Sequence, residues 1–176
     1  AAAGTYDLVI NDLNSCESVL TFDLNQPTPL TIDLTSLNDY NGYDISCNGY
    51  NNGAIGSYIY GGVSPYNISW NNGESSETIN NLNANEYFIE VFDLNNCQNL
   101  NFIELIEPPL LTSNIESMYD YNGYDISCYN YSDGGIDLTI NGGVEPYLTL
   151  WNNNESQEDI MNCLLYTSDA ADDRVS

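Results

Sequence analysis

The chain repeats itself at an offset of 81 residues, and this internal repeat constrains its fold more than any other feature. The octapeptide YNGYDISC at residues 40–47 recurs unchanged at residues 121–128, and GGVSPY at 61–66 recurs as GGVEPY at 142–147. Single residues match in the same register without a gap: Tyr6 with Tyr87, Cys16 with Cys97, Pro27 with Pro108, Cys47 with Cys128, and Trp70 with Trp151. A period of this length is too long for a solenoid unit and suits one small domain per repeat.

The repeat register divides the chain into four parts. Residues 28–108 hold one complete repeat, residues 1–27 the C-terminal part of a preceding repeat, and residues 109–162 the N-terminal part of a following one. At residue 163 the periodicity stops. Because each flanking part holds only a portion of a domain, we expect it to have exposed strand edges or an unfilled core.

Short segments rich in β-branched and aromatic residues, separated by Gly, Asn and Pro clusters, predict an all-β fold. The complete repeat has six such segments, at residues 43–47, 54–60, 67–70, 78–82, 86–92 and 100–107. Trp70 lies on a strand in the middle of the repeat, and Leu82 followed by Tyr87 resembles a tyrosine corner. The sequence therefore predicts tandem immunoglobulin-like antiparallel β-sandwich repeats, with Trp70 and Tyr87 in the core.

The charge balance excludes several classes of function. The chain has one Lys or Arg, 26 Asp or Glu and no His, which gives a net charge of −25. Binding to nucleic acid or to anionic lipid needs basic residues, so neither partner is expected. Without His the chain has no imidazole base, and carboxylates that lie in turns or alternate outward on strands do not predict a glycosidase pair. We therefore do not expect an enzyme. The chain also has no apolar run of about 18 residues, so we do not expect membrane insertion.

The cysteines indicate an oxidising, extracellular compartment. Cys47 and Cys97 occur once each per repeat and show no C-x-x-C spacing, so a disulfide within the domain is favoured over a metal site or free thiols. A bridge that closes about 50 residues would add about 3–4 kcal/mol to the free energy of unfolding.

Acidic and amide side chains near the domain ends are candidates for a structural calcium site, and no other cofactor is expected. The candidates are Asp39, Asp44, Asp93 and Asn95. Calcium needs several converging oxygen ligands, which loops at a domain junction could supply, although the chain has no D-x-D-x-D-G loop. The alternative is a solvated acidic surface in which Asp and Asn serve turns.

Tyr50, Tyr58 and Tyr60 are candidates for stacking on sugars, as in a carbohydrate-binding module. Alternation along a strand places Tyr58 and Tyr60 on one face. The following repeat has Thr139 and Asn141 at these positions, so the pair is not repeated. A repeated ligand site should recur, and this difference favours a spacer over a binding module.

The ordered motifs of residues 1–162 resemble the SprB-type repeat of Bacteroidetes gliding-motility and cell-surface adhesins. The segments that carry the resemblance are DISCNGYNNGAI, GGVSPYNISWNNG, ETINNLNANEYFIEVFDLNNC and ELIEPP, together with AGTY at residues 3–6. The resemblance implies a large secreted adhesin on the cell surface, whose partners are neighbouring repeats and an extracellular polysaccharide or other surface ligand. Within it, this segment would act as an acidic spacer-and-display array, since repetition gives reach and multivalency.

Residues 163–176 carry a second resemblance. The string CLLYTSDAAD at residues 163–172 is similar to the translation of a common transposase-based sequencing adapter. We therefore expect residues 163–176 to be a non-native tail. Without it the chain has four cysteines and no basic residue.

Overall fold

Strands are the only regular secondary structure in residues 1–161, the part of the chain that the computed structural model describes. In chain order they are β1 (Gly4–Asn11), β2 (Glu17–Leu24), β3 (Thr31–Ser36), β4 (Gly53–Tyr60), β5 (Asn67–Trp70), β6 (Thr78–Leu82), β7 (Asn85–Phe92), β8 (Gln98–Leu105), β9 (Thr112–Ser117), β10 (Gly135–Asn141) and β11 (Ile160–Met161). Every strand pair is antiparallel. The all-β prediction is confirmed.

Strands β3 to β8 form an antiparallel sandwich, here called the middle sandwich. One sheet has the order β3-β4-β6 and the other the order β5-β7-β8. Buried side chains of both sheets meet in one core: Ile32, Ile55, Ile79 and Leu82 from the first sheet, and Trp70, Tyr87, Ile89, Val91 and Leu105 from the second. This is the strand arrangement of a constant-type immunoglobulin domain that lacks strand D.

Trp70 and Tyr87, the two aromatic residues expected in the core, are both buried. Trp70 lies on β5, the counterpart of immunoglobulin strand C, and its Nε1 donates a hydrogen bond to the carbonyl of Ser76 at 2.9 Å. The hydroxyl of Tyr87 lies 3.1 Å from the backbone carbonyl oxygen of Asn83 and 2.8 Å from its side-chain Oδ1. This is the geometry of a tyrosine corner. Burial raises the pKa of the Tyr87 hydroxyl above its ordinary value of 10.0.

One predicted strand is absent, and one observed strand has no counterpart in the prediction. Residues 43–47 lie in the loop between β3 and β4, where the amides of Asp44 and Ile45 both donate to the carbonyl of Ile106, at 2.9 and 3.2 Å. Two donors on one carbonyl do not make a ladder, so the strand prediction for 43–47 is wrong. Ile45 is nevertheless fully buried. The strand without a prediction is β3, and the other five predicted strands lie within two residues of β4 to β8.

Two asparagine side chains join the sheets along one side of the middle sandwich. β3 and β8 are edge strands of opposite sheets. The side-chain Nδ2 of Asn99 on β8 donates to the carbonyl of Leu30 at 2.7 Å, and that of Asn101 donates to the carbonyl of Ile32 at 2.8 Å. The backbone of β3 is therefore bonded to β4 on one side and to side chains of β8 on the other.

The double glycine after β4 fixes the start of the middle sandwich. Gly61 and Gly62 have φ values of +74° and +57°. The amide of Gly62 donates to the carbonyl of Thr28 at 2.8 Å, and the hydroxyl of Tyr66 donates to the carbonyl of Gly61 at 2.6 Å. A Cβ on Gly61 would lie 1.9 Å from the carbonyl oxygen of Pro29. The GGVSPY motif therefore brings the end of β4 against the segment that precedes β3.

The flanking parts repeat the strands of the middle sandwich. β1 and β2 coincide residue for residue with β7 and β8 at the 81-residue offset, and β9 coincides with β3. Every residue of β1, β2 and β9 is exposed, as the prediction of incomplete flanking repeats implies. The boundaries at residues 27 and 108 stay a prediction. The predicted non-native tail, residues 163–176, lies outside the described residues.

Candidate functional site

The middle sandwich has two ends, and the candidate residues divide between them. The entry end holds residues 28–30, the turn at 61–66 and the turn between β7 and β8 at 93–97, which are joined by hydrogen bonds. The exit end holds the loop 37–52 and the segment 106–108 that follows β8. β8 is an eight-residue strand, so about 25 Å separate the two ends.

Asp93 organises the entry end. It is 4% exposed, and its Oδ1 accepts hydrogen bonds from the amides of Asn95 and Cys97, both at 2.8 Å, while its Oδ2 accepts one from the amide of Val63 at 2.9 Å. These N–H groups, that of Cys97 first, hold the pKa of Asp93 below its usual value. The carboxylate therefore ties the turn between β7 and β8 to the turn after β4.

The exit end carries a set of contacts, here called the exit clamp, between the loop 37–52 and the segment that leaves β8. Asp44 accepts from the amide of Ile106 at 2.9 Å through Oδ2. Glu107 accepts from the side-chain Nδ2 of Asn48 at 2.9 Å through Oε1, and from the amide of Gly49 at 2.7 Å through Oε2. The chain therefore leaves the middle sandwich in a fixed direction.

The sequence reasoning does not identify Asn48, Gly49 or Glu107 as functional residues. The available signal is the Glu-Pro pair at residues 107–108, where the repeat ends. Pro108 is fully buried, and its carbonyl accepts a hydrogen bond from Asn48 Nδ2 at 3.1 Å.

The structure does not bring the four calcium candidates together. Asp39 and Asp44 lie at the exit end, where Asp39 Oδ1 accepts from the amide of Gly42 at 2.8 Å. Asp93 and Asn95 lie at the entry end. Within residues 1–161, no three acidic or cysteine side chains are close enough to share a metal ion. The carboxylates at both ends instead accept backbone N–H groups, the role that turns give to Asp.

The predicted disulfide between Cys47 and Cys97 does not form in this fold. Both cysteines are free and exposed, as are Cys16 and Cys128. Cys47 lies at the exit end and Cys97 directly before β8 at the entry end, about 25 Å away along β8. A disulfide requires Cα atoms within about 7 Å. Partial desolvation, followed by the negative charge of the neighbouring Asp93 carboxylate, raises the pKa of the exposed Cys97 thiol.

The three tyrosine candidates form a pair and a separate residue. Tyr58 and Tyr60 are 71% and 42% exposed, and their ring centroids lie 5.7 Å apart with the planes inclined at 40°. They lie on the outer face of β4, opposite Asp33 and Thr31 of β3. Tyr50 is also exposed but belongs to the loop at the exit end, before β4 begins, and about 17 Å of β4 separates that end from Tyr58. The structure therefore presents two adjacent rings.

None of the described residues forms a helix of the length and hydropathy needed to cross a membrane.

Comparison with known families supports the resemblance drawn from the motifs. The family model described as the SprB repeat matches residues 124–156, which contain β10 and the motif GGVEPY. No curated protein and no solved structure matches the chain. The family match confirms the recognition of the SprB-type repeat at residues 124–156.

Proposed function

We propose that this chain is a segment of an acidic, non-enzymatic spacer-and-display array in a secreted cell-surface adhesin. SprB repeats occur in cell-surface proteins, which supports that location. Adhesion and gliding would be properties of the whole protein, and this segment would hold and separate its functional parts.

The exit clamp is the observation that carries the proposal. Glu107 is bonded to the loop of the middle sandwich, and Pro109, two residues later, accepts a hydrogen bond from the amide of Gly143 at 2.8 Å. The one residue between them, Pro108, is fully buried. Both junction prolines have fixed φ angles. A junction with no free residue transmits direction from one repeat to the next, whereas a flexible linker would coil.

The charge of the chain supports the same function. Its net charge of −25 is spread along the repeats rather than confined to one tail. Like charges on neighbouring repeats repel one another and favour an extended array. The repulsion also keeps neighbouring arrays on one cell surface apart, so that the functional parts of the adhesin stay accessible to ligands.

The stiffness of the junction can be tested with spin labels on the two equivalent cysteines, Cys47 and Cys128, with the other cysteines replaced by serine. We expect a narrow distance distribution that Glu107→Ala broadens, because the substitution removes the two Glu107 carboxylate oxygens that accept from Asn48 and Gly49. Glu104→Ala is the matched control, since it removes the same charge from an exposed position on β8. A broad distribution in the parent chain, or equal effects of the two substitutions, would contradict a stiff spacer.

Tyr58 and Tyr60 support a second candidate function, a carbohydrate-binding face. Adjacent exposed rings offer a stacking surface for sugars, since aromatic side chains combine large apolar area with a defined plane. The polar atoms nearest in register belong to Asp33 and Thr31 on β3. An extracellular polysaccharide would be the partner.

A glycan array probed with the labelled chain tests this candidate. We expect binding that Tyr58→Ala and Tyr60→Ala each abolish. Tyr124→Ala is the control, because Tyr124 is a 74% exposed tyrosine outside the pair. Absence of binding to any glycan, or equal loss with the control, would leave the spacer as the function of this segment.

A further inference from the structure

The outer face of the sheet β3-β4-β6 carries an apolar and aromatic strip along β4. The inner face of this sheet is covered by the sheet β5-β7-β8 of the same middle sandwich. On the outer face the rings of Tyr58 and Tyr60 lie side by side. Gly56 precedes them on the same face, and a Cβ there would lie 3.2 Å from Leu37 Cδ2, so the exposed Leu37 side chain covers this position. These four residues are here called the tyrosine strip, which extends about 13 Å from Gly56 to Tyr60.

An exposed carboxylate lies beside the tyrosine strip. Asp33 is directly opposite Tyr58 in the pairing of β3 with β4, and its side chain interacts with the Tyr60 hydroxyl. Partial desolvation, followed by the negative charge of Asp33, raises the pKa of that hydroxyl above its ordinary value of 10.0. One carboxylate is therefore adjacent to both rings.

No basic side chain within the described residues neutralises Asp33, because residues 1–161 contain no Lys, Arg or His. The face of an aromatic ring carries a partial negative charge and attracts cations, as the carboxylate does. Both features repel the carboxylate or sulfate groups of an acidic polysaccharide. The tyrosine strip and Asp33 therefore favour a positively charged ligand over a neutral or an acidic one.

The following repeat has neither the acid nor the rings. At the 81-residue offset, the counterparts of Asp33, Tyr58 and Tyr60 are uncharged polar residues: Asn114, Thr139 and Asn141. Asn114 nevertheless pairs with Thr139 in the same register as Asp33 with Tyr58. The pairing of these strands does not require the carboxylate or the rings, which in the complete repeat are available to a ligand.

We propose that the tyrosine strip binds a linear polysaccharide that carries free amino groups, with sugar rings stacked on Tyr58 and Tyr60 and a protonated amine beside Asp33. This inference rests on the carbohydrate-binding face proposed above and names its class of ligand. The length of the strip along β4 suits a linear chain rather than a single sugar ring. An ammonium group would donate a charge-assisted hydrogen bond to Asp33, which an acetylated amine cannot do.

Two oligosaccharides of the same length, one of glucosamine and one of N-acetylglucosamine, test the role of the amine. Titration calorimetry of the full chain at about pH 6 keeps the free amine protonated. We expect the glucosamine oligomer to bind about fivefold more tightly, and this advantage to shrink as added salt screens the charges. Equal or tighter binding of the acetylated oligomer overturns this inference but leaves the carbohydrate-binding candidate standing. Failure of every glycan to bind removes both.

A pair of charge-removing substitutions separates the site from general attraction, because a net charge of −25 draws any polycation to the chain. Asp33→Asn introduces the residue that the following repeat already has in Asn114. Glu104→Gln is the control, since it removes one charge from an exposed position on β8 in the opposite sheet. We expect Asp33→Asn to weaken binding of the glucosamine oligomer about fivefold and Glu104→Gln to have little effect. Equal effects of the two substitutions overturn the proposal.

The rings are tested with Tyr58→Thr, which likewise introduces the residue of the following repeat. We expect this variant to lose binding of the glucosamine oligomer. An oligolysine with the same number of positive charges is the comparison ligand, and its attraction to the acidic chain should not depend on Tyr58. Oligolysine binding that Tyr58→Thr abolishes would mean that the tyrosine strip recognises a basic peptide, and this result also overturns the proposal.

Discussion

Replacing Gly61 by alanine should destabilise the middle sandwich far more than replacing Gly73. Both glycines have positive φ, +74° and +88°, so both substitutions carry the cost of a left-handed alanine, about 1–2 kcal/mol. At Gly73 a Cβ meets nothing within 4 Å, whereas at Gly61 it would lie 1.9 Å from the carbonyl oxygen of Pro29. Relieving that overlap requires a backbone shift, which adds about 1–3 kcal/mol. We expect the free energy of unfolding to fall by about 1 kcal/mol for Gly73→Ala and by about 3 kcal/mol for Gly61→Ala.

Urea unfolding measures the two losses. Trp70 is buried in the middle sandwich and reports on its unfolding once Trp151 is replaced by phenylalanine, because the chain has only two tryptophans. All variants are compared in this background at neutral pH. A Gly61→Ala loss no larger than that of Gly73→Ala would refute the reasoning, since it would mean that the segment before β3 moves away at no cost.

Three further predictions follow from the entry end and the core. Asp93→Asn should lower the urea midpoint at pH 7, and this difference from the parent chain should shrink as the pH falls below 3.8. The lowered pKa of Asp93 means that its stabilisation is present above the ordinary value of 3.8 and disappears as the pH falls through the lower folded value. Cys47 and Cys97 should both react with a thiol reagent in the unreduced native protein. Asp93→Asn should accelerate the reaction of Cys97, because it removes the negative charge that raises the pKa of this thiol. Two unreactive thiols, and a protein mass 2 Da below that of the fully reduced chain, would indicate a disulfide instead. Tyr87→Phe should cost about 1 kcal/mol of unfolding free energy, because it loses the tyrosine-corner hydrogen bond, and Tyr58→Phe almost nothing.

The sequence predicts the fold where local pattern and tertiary contact agree. The alternation of Tyr87, Ile89 and Val91 identifies β7. Trp70 on a strand in the middle of the repeat, together with the tyrosine-corner pattern of Leu82 and Tyr87, indicates the immunoglobulin-like arrangement that the structure shows. Residues 43–47 have the composition of a strand but form a loop. Ile45 is apolar because its side chain enters the core from that loop. β3 does carry a signal, the alternation of Ile32 and Leu34 over six residues.

The site could not be predicted to the same extent, because its contacts join residues far apart in sequence. The occurrence of Cys47 and Cys97 once each per repeat, without C-x-x-C spacing, predicts that they are paired. Only the strand topology shows that the length of β8 separates them. The partners of the exit clamp, Asn48 and Glu107, lie 59 residues apart, and no local pattern connects them. The sequence also does not show which end of the sandwich each calcium candidate occupies: Asp39 and Asp44 lie at the exit end, and Asp93 and Asn95 at the entry end.

The asparagine bonds between β8 and β3 bear on how a densely repeated protein avoids aggregation. An edge strand with free carbonyls can pair with a strand of any neighbouring repeat of similar sequence. The carbonyl of Leu30, directly before β3, and that of Ile32 on β3 already accept hydrogen bonds from Asn99 and Asn101. The counterparts of the two asparagines at the 81-residue offset are Ser18 and Leu20, so β2 cannot block an edge in this way. At these two carbonyls, the middle sandwich is thus closed to intermolecular β-pairing.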